Sequence, residues 1–217
     1  MVAFDVAGTT LNDDGIVIAA FKKAFEATQP ELWPIHGQSW TQYALDTMGQ
    51  SKIHVFTELL GNAQKALQAN EAFEKSYITE IEEFGAHPIP GAEDLFRELK
   101  QRGITVVLTT GFSRSTLDVL LDKLNWSDLI DLSVTPSQVK QGRPYADMLQ
   151  FAAKELMISS PENSMVVGDT AADMHAGVAF GARRVVGVLT GAHSEETLHD
   201  AGATHVVHSV ADLSSLL

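Results

Sequence analysis

The sequence predicts an α/β protein built on a doubly wound parallel sheet, with a helical domain inserted after the first strand. Three observations carry this reading. From about residue 88 onward, short β-branched runs alternate with amphipathic helical stretches. Between the first strand and the next, about 70 residues show helical periodicity without a convincing β run. Clusters of Asp, Thr and Gly recur where the apolar runs end. Regular alternation of strand and helix favours parallel pairing, because right-handed crossovers place helices on both faces of the sheet. Functional residues are then expected at the carboxyl ends of the strands.

The first strand is Val2 to Asp5. The insertion, expected over residues 14–86, holds helical patterns at Ile18 to Ala27, Trp40 to Met48, Lys52 to Leu60 and Ala63 to Glu83. The turn-rich run His87-Pro-Ile-Pro-Gly91 closes it, which makes residues 1–13 and 87–217 the core domain and the insertion a cap over it. Glu93 to Arg102 places Leu95, Phe96 and Leu99 on one helical face, with Gly103 as its stop. A second core helix starts from Ser113 as N-cap, with Leu117, Leu120, Leu121 and Leu124 at helical spacing; a third is expected with Pro144 at its first position, turning Leu149, Ala152, Ala153 and Leu156 inward. The remaining strands are Ile104 to Leu108, Ile130 to Val134, Ser164 to Val167, Arg184 to Leu189 and Thr204 to Val207, each too short for a helix.

Composition removes whole classes of function. The chain has 217 residues, no cysteine, 28 acidic and 15 basic residues, and a formal charge of −13. Without thiols there is no disulfide framework, zinc–thiolate site, iron–sulfur cluster or cysteine nucleophile. The acidic balance, with no Lys/Arg cluster, disfavours nucleic acid and anionic membrane as partners. No apolar run approaches the roughly 20 residues that cross a bilayer, and the start of the chain lacks a signal-peptide pattern, so the expected location is the cytoplasm. His205 and His208 flank a strand without a third ligand and are not expected to bind a transition metal. Trp33, Trp40 and Tyr43 are expected in cap–core packing or a dimer contact.

The chemistry-bearing residues sit at strand ends: Asp5-Val6-Ala7-Gly8-Thr9-Thr10, Thr109-Thr110-Gly111, Gly142-Arg143-Pro144 and Gly168-Asp169-Thr170-Ala-Ala-Asp173. Taken singly, each reads as a turn, a helix cap or a surface charge. Four along one sheet edge read as a site.

In this order the motifs resemble the haloacid dehalogenase superfamily. The resemblance spans nearly the whole chain. It implies a Rossmann-like core, a helical cap inserted after the first strand, Mg²⁺ as cofactor, and phosphoryl transfer through an aspartyl-phosphate. Asp5 is then the nucleophile, a carboxylate that divides one difficult hydrolysis into two steps. Mg²⁺ prefers hard oxygen ligands, here Asp5, the Ala7 carbonyl and Asp169, with Asp173 as a further ligand or orienting group. Thr109 with the amides of Thr110 and Gly111 is expected to hold phosphoryl oxygens, alongside the loop residues Gly8 and Thr9. Arg143 supplies the neutralising charge.

Two departures narrow the resemblance. Ala7 stands where phosphatases of the superfamily carry an Asp general acid, and Arg143 stands where most carry Lys. Both features are similar to the phosphonatase family, with its Asp-x-Ala-Gly-Thr-Thr opening and its Gly-Arg-Pro-Tyr, here Gly142 to Tyr145. That family attaches its aldehyde substrate to a cap lysine as a Schiff base. Met48-Gly49-Gln50-Ser51-Lys52 has the corresponding spacing, making Lys52 the candidate amine, with Met48 and Gly49 lining the substrate pocket. The same stretch also resembles cap loops in which a basic residue pairs with a second anion on a sugar phosphate. The phosphonatase histidine three residues after the lysine is Val55 here, with His54 one place early. Lys52 as imine-forming amine and Lys52 as anion clamp therefore both stand.

The favoured activity is hydrolysis of a phosphorus–carbon bond in a small phosphonate of the phosphonoacetaldehyde type. The alternative is a phosphate-monoester phosphatase, of phosphoglycolate or sugar-phosphate type, without the usual acid. A non-enzymatic phospho-acceptor module is remote, since receivers place their acceptor on an interior strand and carry no lid. The phosphonatase resemblance also implies a homodimer through the cap.

Overall fold

A computed structural model describes residues 1–217. Six parallel strands, β1 (Val2–Phe4), β2 (Val106–Thr109), β3 (Leu132–Val134), β4 (Met165–Gly168), β5 (Arg184–Val188) and β6 (His205–Val207), form one sheet in the order β3-β2-β1-β4-β5-β6. Val2 stands between Val106 and Met165, and Phe4 between Leu108 and Val167. The chain winds to one side of β1 and then, from β4, to the other. This leaves a crevice at the carboxyl ends of β1 and β4, where such sheets bind ligands.

Strand alternation divides the core between the two faces. Phe4, Leu108 and Val167 face Leu95, Phe96 and Leu99 of α5 (Ala92–Gln101) and Leu117 and Leu120 of α6 (Arg114–Leu124), whose N-cap is Ser113 as expected. Ala3, Val107 and Val166 face Met148, Leu149 and Ala152 of α7 (Asp147–Glu155) and Ala176 and Phe180 of α8 (Ala171–Phe180). A short α9 (Glu195–Asp200) covers β5.

Four helices lie between β1 and α5: α1 (Ile16–Thr28), α2 (Trp33–Asp46), α3 (Lys52–Leu60) and the 22-residue α4 (Ala63–Phe84). Helix α4 packs on α1 and α3, and α2 on α1. The two connections to the sheet run side by side, with the Asn12 N–H on the His87 carbonyl at 2.8 Å and the Ile89 N–H on the Thr10 carbonyl at 2.9 Å. Aromatic rings continue from the insertion into the core: Phe56 meets Phe73, and Phe73 and Tyr77 meet Phe112, the last pair at 4.5 Å. Glu74 of α4 reaches across to α6, accepting hydrogen bonds from the Ser113 N–H at 3.2 Å, the Ser113 hydroxyl at 2.9 Å and the Thr116 hydroxyl.

Three sequence expectations change. Helix α2 begins at Trp33, seven residues before the expected start, with Pro34 in its first turn where a missing N–H does no harm. Helix α7 begins at Asp147 and not at Pro144, because the Tyr145 N–H turns back onto the Gly142 carbonyl at 3.2 Å. Trp33 and Trp40 pack on Phe25 inside the insertion, with ring centroids 5.8 and 4.3 Å away, and not between insertion and core.

Candidate active site

Asp5 directly follows β1, and its N–H continues the ladder onto the Val167 carbonyl at 2.9 Å, which fixes it beside the crevice. Its side chain is buried and Oδ1 lies 2.7 Å from Nη1 of Arg143. The same Nη1 donates to Asp173. Asp173 occupies the first turn of α8, where it accepts the Thr170 N–H at 3.1 Å in a capping box. Asp169 follows β4 and accepts the Thr9 hydroxyl at 3.0 Å and the Ala192 N–H at 2.8 Å. Gly8 (φ +85°) crosses this carboxylate so closely that a Cβ would stand 2.6 Å from Oδ2, so both its conformation and its contact require glycine.

The carboxylates of Asp5, Asp169 and Asp173 offer oxygens within 4.8 Å of one another, all buried. One guanidinium, that of Arg143, pairs with two of them, Asp5 and Asp173. The excess negative charge, in a site made of hard oxygens, fits a divalent cation such as Mg²⁺.

The loop Met48–Ser51 brings the insertion down onto the strand ends. A Cβ on Gly49 (φ +86°) would lie 2.3 Å from Thr170 Oγ1, and one on Gly111 would lie 2.5 Å from the Gln50 carbonyl. This contact delivers Lys52, the first residue of α3, to the same place. Its side chain is buried, has no carboxylate within ion-pairing distance, and finds only Met48 Sδ at 3.9 Å. Burial, and then the neighbouring Arg143 charge, hold its amine below the usual lysine range, against the pull of Asp13, Asp5 and Glu74. Its place at a helix N-terminus disfavours the cation further.

These residues border a partly open pocket of about 30 Å³, lined by Asp5, Ala7, Met48, Gly49, Lys52, Thr110, Gly111 and Arg143 among the sequence-predicted residues. That is room for about two waters. Arg143 Nε is buried beside it without a partner. The other expected residues lie behind this wall. Gly8 and Thr9 are not on it, since the Gly8 N–H closes a turn onto the Leu11 carbonyl and the Thr9 hydroxyl is committed to Asp169. Thr109 borders a separate small space with Arg143 and Asp173. The Thr110 N–H, expected to meet phosphoryl oxygen, is taken by the Val134 carbonyl at 3.3 Å. Val17, Phe112 and Thr170 complete the lining and carried no role in the sequence reading.

Asp169 is pushed up to about 7, first by burial and second by the Asp5 charge, against the Ala192 N–H, the Thr9 hydroxyl and Arg143. A raised carboxylic acid holds a proton in the folded chain that the unfolded chain, at 3.8, releases. Between those values the folded state binds more protons, so metal-free protein loses stability as pH rises. Thermal melts in EDTA are expected to fall from pH 5 to pH 8, and Mg²⁺ is expected to reduce that fall by taking the proton's place. A melting temperature in EDTA that is flat over this range overturns the assignment.

The fold and this cluster define a hydrolase of the haloacid dehalogenase type. The chain belongs to the haloacid dehalogenase-like hydrolases, whose family model matches residues 1–181. Within that family it is similar to the phosphonoacetaldehyde hydrolase of Bacillus mycoides, 30% identical over 207 residues covering 88% of this chain and 75% of the relative. It is also similar to that of Bacteroides fragilis, 28% identical over 178 residues covering 71% and 67%. Its fold matches the crystal structure of a phosphonoacetaldehyde hydrolase-like protein from Oleispira antarctica, with a TM-score of 0.82, 22% identity, and 99% and 90% of the two chains covered. No helix is long and apolar enough to cross a membrane.

Proposed function

We propose that this hydrolase cleaves the phosphorus–carbon bond of a small phosphonate aldehyde, using Lys52 as an imine-forming amine and Asp5 as the nucleophile. The observation that carries the reading is the buried Lys52 amine, without a carboxylate partner and lowered in proton affinity, in the cavity that holds Asp5 and lacks an acid at Ala7. An amine must be unprotonated to attack a carbonyl, and a site without a general acid needs another way to release carbon.

The Lys52 amine adds to the aldehyde and water leaves, giving a protonated imine. An Asp5 carboxylate oxygen attacks phosphorus; the phosphorus–carbon electron pair moves into the imine as an enamine, so no acid is needed at the leaving carbon. The enamine takes a proton on carbon and water hydrolyses the resulting imine, freeing the aldehyde and Lys52. A second water cleaves the aspartyl-phosphate, releasing orthophosphate. Arg143 neutralises the phosphoryl oxygens, its buried Nε being a donor without a partner of its own. Asp5, the Ala7 carbonyl and Asp169 would hold Mg²⁺, with Asp173 steering Arg143; the cation supplies charge neutralisation between carboxylate and phosphoryl group. Residues 14–86 act as the cap that excludes water, and the exposed Ile35 face of α2 is where a second copy would pack.

The phosphate-monoesterase reading is favoured by one observation: Val55 is buried where the phosphonatase histidine is expected, and His54 points out of the cavity into a neighbouring hollow. The test is phosphate release from phosphonoacetaldehyde with Mg²⁺, beside simple monoesters, with and without borohydride. Aldehyde turnover that borohydride abolishes, with mass added at Lys52, supports the proposal. Monoester turnover that borohydride leaves alone overturns it and makes Lys52 an anion clamp.

A further inference from the structure

The loop after β5, Thr190 to His193, wraps the sheet edge that carries Asp169. The Thr190 hydroxyl donates to the Gly8 carbonyl at 2.7 Å. The Ala192 N–H donates to Asp169 Oδ2 at 2.8 Å, and the His193 N–H to the Asp169 main-chain carbonyl at 3.2 Å. The His193 ring completes the set: its Nδ1 accepts the Ala171 N–H at 2.9 Å, in the first turn of α8 that also holds Asp173. Gly191 lies so close to Asp169 that a Cβ on it would overlap Oδ2. Its φ is outside the left-handed region, so contact, and not backbone conformation, excludes a side chain there. Both ends of the loop are anchored. The Leu189 N–H donates to the Val207 carbonyl of β6 at 3.1 Å, and Ser194 caps α9 by accepting the Thr197 N–H at 3.3 Å.

We infer that this loop is a clamp on the metal-binding edge, with Gly191 and His193 as positioning residues for the divalent cation. Mg²⁺ tolerates little departure from octahedral geometry, so a ligand carboxylate held in place before the ion arrives binds it better than a mobile one. Both Asp169 oxygens are tied, Oδ1 by the Thr9 hydroxyl and Oδ2 by the Ala192 N–H. Gly191 packs against the Oδ2 side, which leaves the carboxylate no room to turn that way. His193 acts one step further out. Its ring holds the start of α8 while its own N–H holds the Asp169 peptide, so the two carboxylates, Asp169 and Asp173, are set at a fixed spacing. This role rests on the reading of Asp169 as a metal ligand and is independent of which phosphorus compound the enzyme cleaves.

The test is Mn²⁺ binding to the whole chain without substrate, the unbound ion being counted by electron paramagnetic resonance and Mg²⁺ added in competition. Thermal melting in EDTA is measured beside it. The proteins are the wild type, Gly191→Ala, His193→Leu, His193→Asn and, as reference, Asp169→Asn. An Asn Oδ1 can stand where the imidazole Nδ1 does and accept the same N–H, whereas Leu fills the space without an acceptor. His193→Leu should weaken Mn²⁺ binding about 10- to 100-fold, the range for losing a group that orients a metal ligand, and His193→Asn should recover most of it. Gly191→Ala should lose at least as much, because its methyl displaces Asp169 Oδ2. If Gly191→Ala does not fold, the two His193 variants decide. Variants that melt lower in EDTA but bind Mn²⁺ like the wild type have lost stability alone, which overturns the clamp. A His193→Asn protein as weak as His193→Leu overturns the part given to the His193 ring. Wild-type affinity in Gly191→Ala and His193→Leu, with binding lost in Asp169→Asn, overturns the clamp and leaves Asp169 a ligand. Wild-type affinity in Asp169→Asn overturns the reading of Asp169 and the clamp with it.

Discussion

Asp5→Asn should abolish turnover, by about 10⁴-fold or more, the scale on which enzymes lose rate when a covalent nucleophile is removed. The amide has the shape of the carboxylate but cannot form the acyl-phosphate. The fold should survive, because Asp5 is one of three buried carboxylates around one guanidinium and its neutralisation relieves their mutual repulsion. A second readout follows from the same charge. Asp5 is the second cause, after burial, of the raised Asp169 affinity for its proton, so the variant's Asp169 should titrate lower than in the wild-type protein. Carbon-detected NMR of the aspartate carboxyls measures this without any substrate. A variant with near-normal turnover removes Asp5 from the chemistry. An unmoved Asp169 in a folded variant shows that the two carboxylates do not sense each other.

Arg143→Ala should be the most destabilising change in the site. Arg143 is buried between Asp5 and Asp173, and removing it leaves the carboxylates without their counter-charge. Breaking a buried ion pair from one side costs about 3–5 kcal/mol, since the remaining charge is neither paired nor solvated. For a chain of this length that lowers the melting temperature by roughly 6–20 °C. The loss should be smaller in an Asp5→Asn background, where less charge is stranded, and the difference between the two losses is the coupling of the pair. Arg143→Lys keeps a charge but has one nitrogen where the guanidinium has three, so it should recover stability more fully than activity. An Arg143→Ala protein that melts with the wild type in EDTA overturns this account.

The strand ends were legible because their chemistry is compact: Asp5 and Asp169 each directly follow an apolar run, Arg143 stands out as a basic residue between Gly142 and Pro144 in the loop after β3, and the sheet order gathers them. Lys52 was legible for a different reason, the spacing Met48-Gly49-x-x-Lys52. Val17 and Phe112 were not, because an apolar residue early in a helix or after a strand looks the same whether it faces a core or a cavity; Thr170, part of the motif, reads only as the N-cap that it also is. Thr110 shows a limit of motif reading: its backbone N–H belongs to β3, a partner about 25 residues away that no local pattern names. Helix α2 began earlier than its periodicity because Pro34, His36 and Gly37 dilute the apolar spacing of its first turns.

The aromatic rings that run from Phe56 through Phe73 and Tyr77 to Phe112 give closure of the insertion a thermodynamic signature. Phe112 belongs to the sheet's loops and the other three to the insertion, so parting the two wets ring faces that are otherwise dry. Hydration of apolar surface raises heat capacity. Ligand binding that draws the insertion shut should therefore carry a negative heat-capacity change larger than a few-atom ligand could produce by itself. Its enthalpy should then grow more favourable with each degree of warming, and Phe112→Ala should flatten that slope.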